Sequence, residues 1–94
     1  MTLTWADRAI QNLYDLHSYI VADNPAAADA TVNRITSSVA ALRGFPGIGR
    51  LSRVKGTREL VISDTPYIAA YAILPSTIWV VAVLHGAQEW PRSF

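Results

Sequence analysis

The hydrophobic pattern of this chain changes period near its middle. In the first half, apolar residues recur at helical spacing. Ile10, Leu13, His17, Ile20 and Val21 fall on one face of a helix predicted to follow Thr4 and run to about Ala22. Thr4 and Asp7 have the spacing of a capping box, with Asp in place of the usual Glu. Asn24-Pro25 ends this helix. A residue before proline is pushed out of the α region, and proline itself suits the first turn of a new helix. Asn24 is therefore the predicted N-cap of a second helix, from Pro25 to about Arg43. Ala28, Val32, Ile35, Val39 and Leu42 form its apolar stripe, and Gly44 supplies a stop. So short a joint predicts an antiparallel helical hairpin over about 5–43.

From residue 57 onward the period becomes two. Arg58 to Ile62 reads as a strand and Ser63 to Pro66 as a turn. Tyr67 to Leu74 is the next strand. Tyr67, Ala69, Tyr71 and Ile73 lie on one face, and Ile68, Ala70, Ala72 and Leu74 on the other. Pro75-Ser76-Thr77 turns the chain into a third strand, Ile78 to Leu84. Met1 to Thr4 could add an edge strand. Short connections make strands antiparallel neighbours, and the hairpin is the cover available for one face. The fold class is α+β: an N-terminal antiparallel helical hairpin packed on a small antiparallel β-sheet (about 57–84), followed by a tail, 85–94. Residues 1–94 form a single domain.

Composition sharpens this picture. Charged residues are only 16% of the chain and mean hydropathy is +0.22, against roughly 25% charged in ordinary soluble domains. Such a balance suggests apolar surface kept for a partner. There is no cysteine, which removes disulfides, thiol catalysis and cysteine-bound zinc and suits a reducing cytoplasm. Asp7, Arg8, Gln11 and Asn12 interrupt any leader-like start. The uncharged run from Thr65 to Gln88 is broken by Pro66, Pro75 and Gly86, which argues against a membrane helix.

Net charge is +1, yet four of the eight basic residues, Arg50, Arg53, Lys55 and Arg58, crowd into nine positions. Such a cluster could hold phosphate or meet acids, or it could simply be a solvated loop. Tyr67 and Tyr71 share a strand face. They could stack or donate a proton near the arginines, or merely cover the sheet. His85 could act as general acid or base, or bond the backbone and shape a turn. Gln88 follows, and Trp90-Pro91 resembles an anchor for the tail. His17 has no second histidine near it in sequence, so no metal site is expected, and no cofactor either. No nucleophile elbow or phosphate-binding glycine loop is present.

Taken in order, several elements resemble one family over nearly the whole chain. They are Trp5-Ala6 to Tyr19-Ile20, Asn24-Pro25-Ala26-Ala27-Ala28 and Pro46-x-x-Gly49-Arg50. Gly56-x-Arg58-Glu59-Leu60, Pro66-Tyr67 with Tyr71, and His85-Gly86-x-Gln88-x-Trp90-Pro91 complete the set. The chain is identified as resembling the RelE/ParE superfamily of small bacterial toxins from type II toxin–antitoxin modules. The resemblance implies a growth-poisoning protein silenced by a cognate antitoxin. RelE-like members cleave mRNA on the ribosome without a metal, whereas ParE-like members poison DNA gyrase without hydrolysis of their own. RelE-like sites place Lys and Arg on the central strands, but here Tyr67 to Leu74 and Ile78 to Leu84 carry no charge. Metal-free cleavage needs donors converging on the phosphorane, so gyrase is the favoured target. In the nuclease alternative, Arg50 and Arg58 would hold the phosphate and His85 or Tyr67 would handle the proton. A third possibility is a non-toxic antitoxin-binding module. The surface expected to meet antitoxin or target comprises Arg50, Arg53, Lys55, Arg58, Tyr67, Tyr71, Gln88 and Trp90.

Overall fold

A computed structural model describes all 94 residues. The elements run β1 (Thr2–Trp5), α1 (Asp7–Val21), α2 (Pro25–Ala40) with a 3-10 turn (Ala41–Arg43), β2 (Arg50–Leu51), β3 (Arg58–Val61), β4 (Tyr67–Ile73) and β5 (Thr77–His85). The sheet order is β1-β5-β4-β3-β2. The antiparallel meander β3–β4–β5 stands as the sequence predicts, with Glu59 opposite Ala70 and Ala70 opposite Ala82. The first strand adds a parallel pair: Thr2 to Trp5 align with Thr77 to Val80. The sheet is therefore mixed, and β5 lies inside it.

Thr4 does not cap α1. Its hydroxyl pairs with that of Thr77 at 3.0 Å, because β1 carries Thr4 within the sheet. The N-cap is Ala6, extended and without a side-chain bond. Its N–H donates to the Val80 carbonyl at 2.9 Å, so strand runs straight into helix. Asn24 does cap α2, its Oδ1 accepting from the Ala27 N–H at 3.1 Å with Pro25 following.

The two helices cover one sheet face. The core joins Ala9, Leu16, Ile35, Val39 and Leu42 to Ile62, Tyr67, Ala69, Tyr71, Ile78, Val80 and Val83. The α2 stripe is largely the predicted one, with Ala28, Ile35, Val39 and Leu42 buried. On α1, the sheet receives Ala9 and Leu16, with Leu13 and Ile20 packed alongside, while Ile10 and Val21 are exposed. His17 is half-buried and reaches across the hairpin to Asp29 at 2.9 Å. No helix is long and apolar enough to cross a membrane.

A bulge shifts the pairing of β4 and β5. Ala70 faces Ala82 but Tyr71 faces Val80, which leaves Val81 without a partner. Beyond Trp5, β1 has ended, so β5 lacks a strand on that side. Asn12 from α1 fills part of the gap: its Oδ1 accepts from the Val83 N–H at 3.0 Å.

The other sheet face carries Glu59, Ile68, Ala70, Ala82 and Leu84, all buried although no helix lies over them. The tail supplies cover. The Arg53 guanidinium lies 4.1 Å from the centre of the Trp90 ring. Trp90 meets Phe94 with ring centres 6.4 Å apart, and Arg8 lies 5.5 Å from the Phe94 ring. Arg53 follows β2 and Arg8 follows β1. This ladder of cation, two rings and cation thus runs between segments that adjoin opposite sheet edges.

Candidate functional site

The basic segment folds around an acid. Glu59 is 2% exposed, and its carboxylate accepts from every side. Arg50 donates through Nε and Nη2 at 3.2 and 2.9 Å. Ser52 donates through its hydroxyl at 3.1 Å. Arg53 donates through its backbone N–H, Nε and Nη2 at 2.9, 3.0 and 3.2 Å. Burial alone would push the carboxyl up. Bonds from the Arg53 side chain and backbone, then Arg50 and Ser52, outweigh burial and hold its pKa at about 2. Glu59 is thus a permanent anion at neutral pH, and its charge is matched from within the chain. Arg50 and Arg53 keep exposed edges, but they are first of all its partners. Lys55 is exposed at the tip of the loop, one residue before Gly56, whose φ of +85° turns the chain back.

Arg58 lies on the opposite face of β3 from Glu59, as alternation requires. Its Nη1 donates to the Gly49 carbonyl at 2.8 Å. Tyr71 approaches the same glycine: its hydroxyl accepts from the Gly49 N–H at 2.9 Å and donates to the Pro46 carbonyl at 2.7 Å. Tyr71 is wholly buried. Its part in the expected binding surface is therefore a positioning one, as a buried wall behind Leu51, Arg58 and Ile73. It pins the 44–49 connection to the sheet. Outside this staple lie the exposed apolar side chains Phe45, Ile48, Leu51 and Ile73. Leu51, Ile73 and Arg58 line a shallow groove of about 240 Å³.

At the other end of β4, Tyr67 stands opposite His85. Their rings meet edge-to-face, 5.6 Å between centres. Burial raises the pKa of Tyr67, and nearby Tyr19 adds to the effect, so the phenol stays protonated. The imidazole is committed to the turn. The Ala87 N–H donates to its Nδ1 at 3.0 Å, which leaves the proton of the neutral ring on Nε2. Gln88 closes the same turn, its Oε1 accepting from the His85 N–H at 2.8 Å. Gly86 N–H donates to the Pro66 carbonyl at 2.8 Å. Trp90 Nε1 reaches the His85 carbonyl at 3.4 Å. His85 and Gln88 hold the tail in place, and half-buried Trp90 anchors it beneath Arg53.

The structure therefore divides the sequence-predicted site. Arg58 pairs in register with Tyr71, four strand positions from Tyr67, or roughly 13 Å along β4. Tyr67 and His85 come together. Arg50 and Arg58 do not join them, and they point to opposite faces. Sequence reasoning missed Glu59 as the organiser of the loop, although an acid flanked by Arg50, Arg53 and Arg58 was a visible signal. It also missed Asn12, Arg8 and Phe94. Nothing in local pattern marks these, because each acts on a residue far away along the chain.

Comparison with known proteins agrees with this fold. Residues 3–90 match the family described as ParE toxin of type II toxin-antitoxin system, parDE. Y4kP of Sinorhizobium fredii, a candidate toxin, is 41% identical over 90 residues, covering 96% of this chain and 93% of that one. Toxin RelE2 of Caulobacter vibrioides is 29% identical over 86 residues, covering 92% of this chain and 96% of that one. A solved chain of the chromosomal ParDE TA system from P. aeruginosa superposes with a TM-score of 0.85 at 26% identity, covering 90% of this chain and 95% of that one. The chain belongs to the ParE toxin family of type II toxin–antitoxin systems, and that membership implies an antitoxin as its partner.

Proposed function

We propose that this toxin acts in the cytoplasm by binding DNA gyrase and trapping its cleaved-DNA state, with no hydrolysis of its own. One observation carries the reading: the groups a metal-free nuclease would use do not converge. Glu59 engages Arg50 and Arg53, the Ala87 N–H occupies Nδ1 of His85, and Arg58 stands roughly 13 Å along the strand from Tyr67. Stabilising an extra negative charge at phosphorus requires several donors around one point. Contact with a protein target requires only shape and exposed groups, and the Phe45, Ile48, Leu51 and Ile73 surface offers those.

One segment of the antitoxin is proposed to meet the same end of the molecule. Exposed apolar side chains beside Lys55 and Arg58 suit a segment carrying both apolar anchors and acids. The short edge strand β2 could accept an added strand there.

The test compares targets directly. Purified toxin is added to gyrase with supercoiled DNA and, separately, to ribosomes translating a defined mRNA. Accumulation of gyrase-linked cleaved DNA with intact mRNA is the expected result. Gyrase unchanged at saturating toxin, with mRNA cut on the ribosome, would replace this reading by the nuclease one.

A further inference from the structure

We propose that the groove between α1 and the end of β5 is a binding site for a guanidinium group, presented as an arginine side chain by the antitoxin. The groove holds about 410 Å³, and its polar and aromatic walls are Asn12, Asp15, Tyr19, Tyr67, His85 and Gln88. None of its lining residues is Lys or Arg.

Tyr67 is the first observation. The residue is 9% exposed, yet its hydroxyl makes no hydrogen bond within the chain, while its backbone N–H does. No buried side-chain polar atom lacks a partner, so the hydroxyl must reach the groove. A phenol packed into a core with only its oxygen free is a fixed acceptor that loses no motion on binding.

Asp15 is the second. One carboxylate oxygen accepts from Gln11 at 2.9 Å, and the other is free. Tyr19 lies one helical turn beyond Asp15, on the same face of α1, and is 80% exposed. A cation over its ring would be drawn to the π-face while its N–H groups reached Asp15 and the Tyr67 oxygen. Nδ1 of His85 and Oδ1 of Asn12 are already engaged, by Ala87 and Val83, which leaves Asp15 and Tyr67 to select the ligand. An anion would meet the Asp15 charge with no cation to offset it. A planar fork suits a carboxylate beside a ring better than a compact ammonium does.

The proposal rests on the antitoxin partner that family membership implies, but its test involves neither gyrase nor ribosome. The full chain, labelled with 15N, is titrated with N-acetyl-arginine methylamide. Amide shifts at Tyr19, Gly86, Ala87 and Gln88 should saturate in the millimolar range. Asp15→Asn and Tyr67→Phe should each weaken binding roughly tenfold, with the remaining spectrum unchanged to show an intact fold. In the co-purified toxin–antitoxin complex the same amides should no longer respond. Equal shifts from N-acetyl-norleucine methylamide, stronger binding of spermidine, or no shift at all would overturn the guanidinium site. A groove that still responds in the complex would overturn the antitoxin as its source.

Discussion

The Tyr71 hydroxyl accepts from the Gly49 N–H at 2.9 Å and thereby fixes the basic loop against the sheet. The close approach explains the glycine. A Cβ at residue 49 would lie 2.5 Å from the Tyr71 oxygen and 2.9 Å from the Glu59 carbonyl. Gly49→Ala should therefore destabilise by pushing the loop off the strand. Tyr71→Phe leaves the Gly49 N–H and the Pro46 carbonyl without their partner, at about 1–3 kcal/mol. Thermal melts check both, since about 1 kcal/mol moves the midpoint by roughly 4–8 °C in a domain of this size.

Glu59 makes stability depend on acid. Its folded pKa is about 2, below its ordinary value of 4.5. A lowered pKa means the unfolded chain binds the proton more readily. The stabilisation is therefore complete above about pH 4.5 and is lost as pH falls toward 2. It is worth on the order of 3 kcal/mol. Urea midpoints should be flat in this respect at neutral pH and fall steeply in that acidic window. Glu59→Gln should remove the acid sensitivity that Glu59 contributes and lower stability at pH 7 by about 1–3 kcal/mol, because Arg50, Arg53 and Ser52 lose a charged acceptor.

Asn12 supplies a bond that β1 is too short to make. Asn12→Ala leaves the Val83 N–H unpaired and should cost about 1–3 kcal/mol. Hydrogen exchange at Val83 should quicken more than at Ala69, its neighbour across β4.

The rotation of α1 gives a contrast within one helix. Leu16→Ala opens the core and should cost about 2–5 kcal/mol. Ile10→Ser changes an exposed position and should stay within about 0.5 kcal/mol. Equal losses at both positions would mean that the helix presents a different face to the sheet.

Much of the architecture was legible because it depends on local rules. Proline after Asn24 set the joint of the hairpin, and strict alternation from Tyr67 onward set β4. The α1 face was misjudged because the sequence offers two overlapping stripes. Ile10 and Val21 outweigh Ala9 in hydrophobicity, yet Ala6, tied to Val80 where the helix begins, leaves Ala9 facing the core and Ile10 facing out. The Thr4 cap failed because a parallel partner 73 residues away claimed that hydroxyl. In the basic segment, charge density was visible but its internal use was not. Only the fold brings Glu59 beneath Arg50 and Arg53, and only the pairing register shows Arg58 remote from Tyr67.

The parallel union of β1 with β5 has a consequence during synthesis. Thr2 to Trp5 are made more than 70 residues before the strand they must flank, which comprises residues 77–85. The helical hairpin emerges long before the sheet that will cover its apolar stripes, and contacts so distant in sequence close slowly. Nascent chains therefore pass through an interval in which those stripes are greasy and open, and the β1–β5 pair closes only after β5 has emerged.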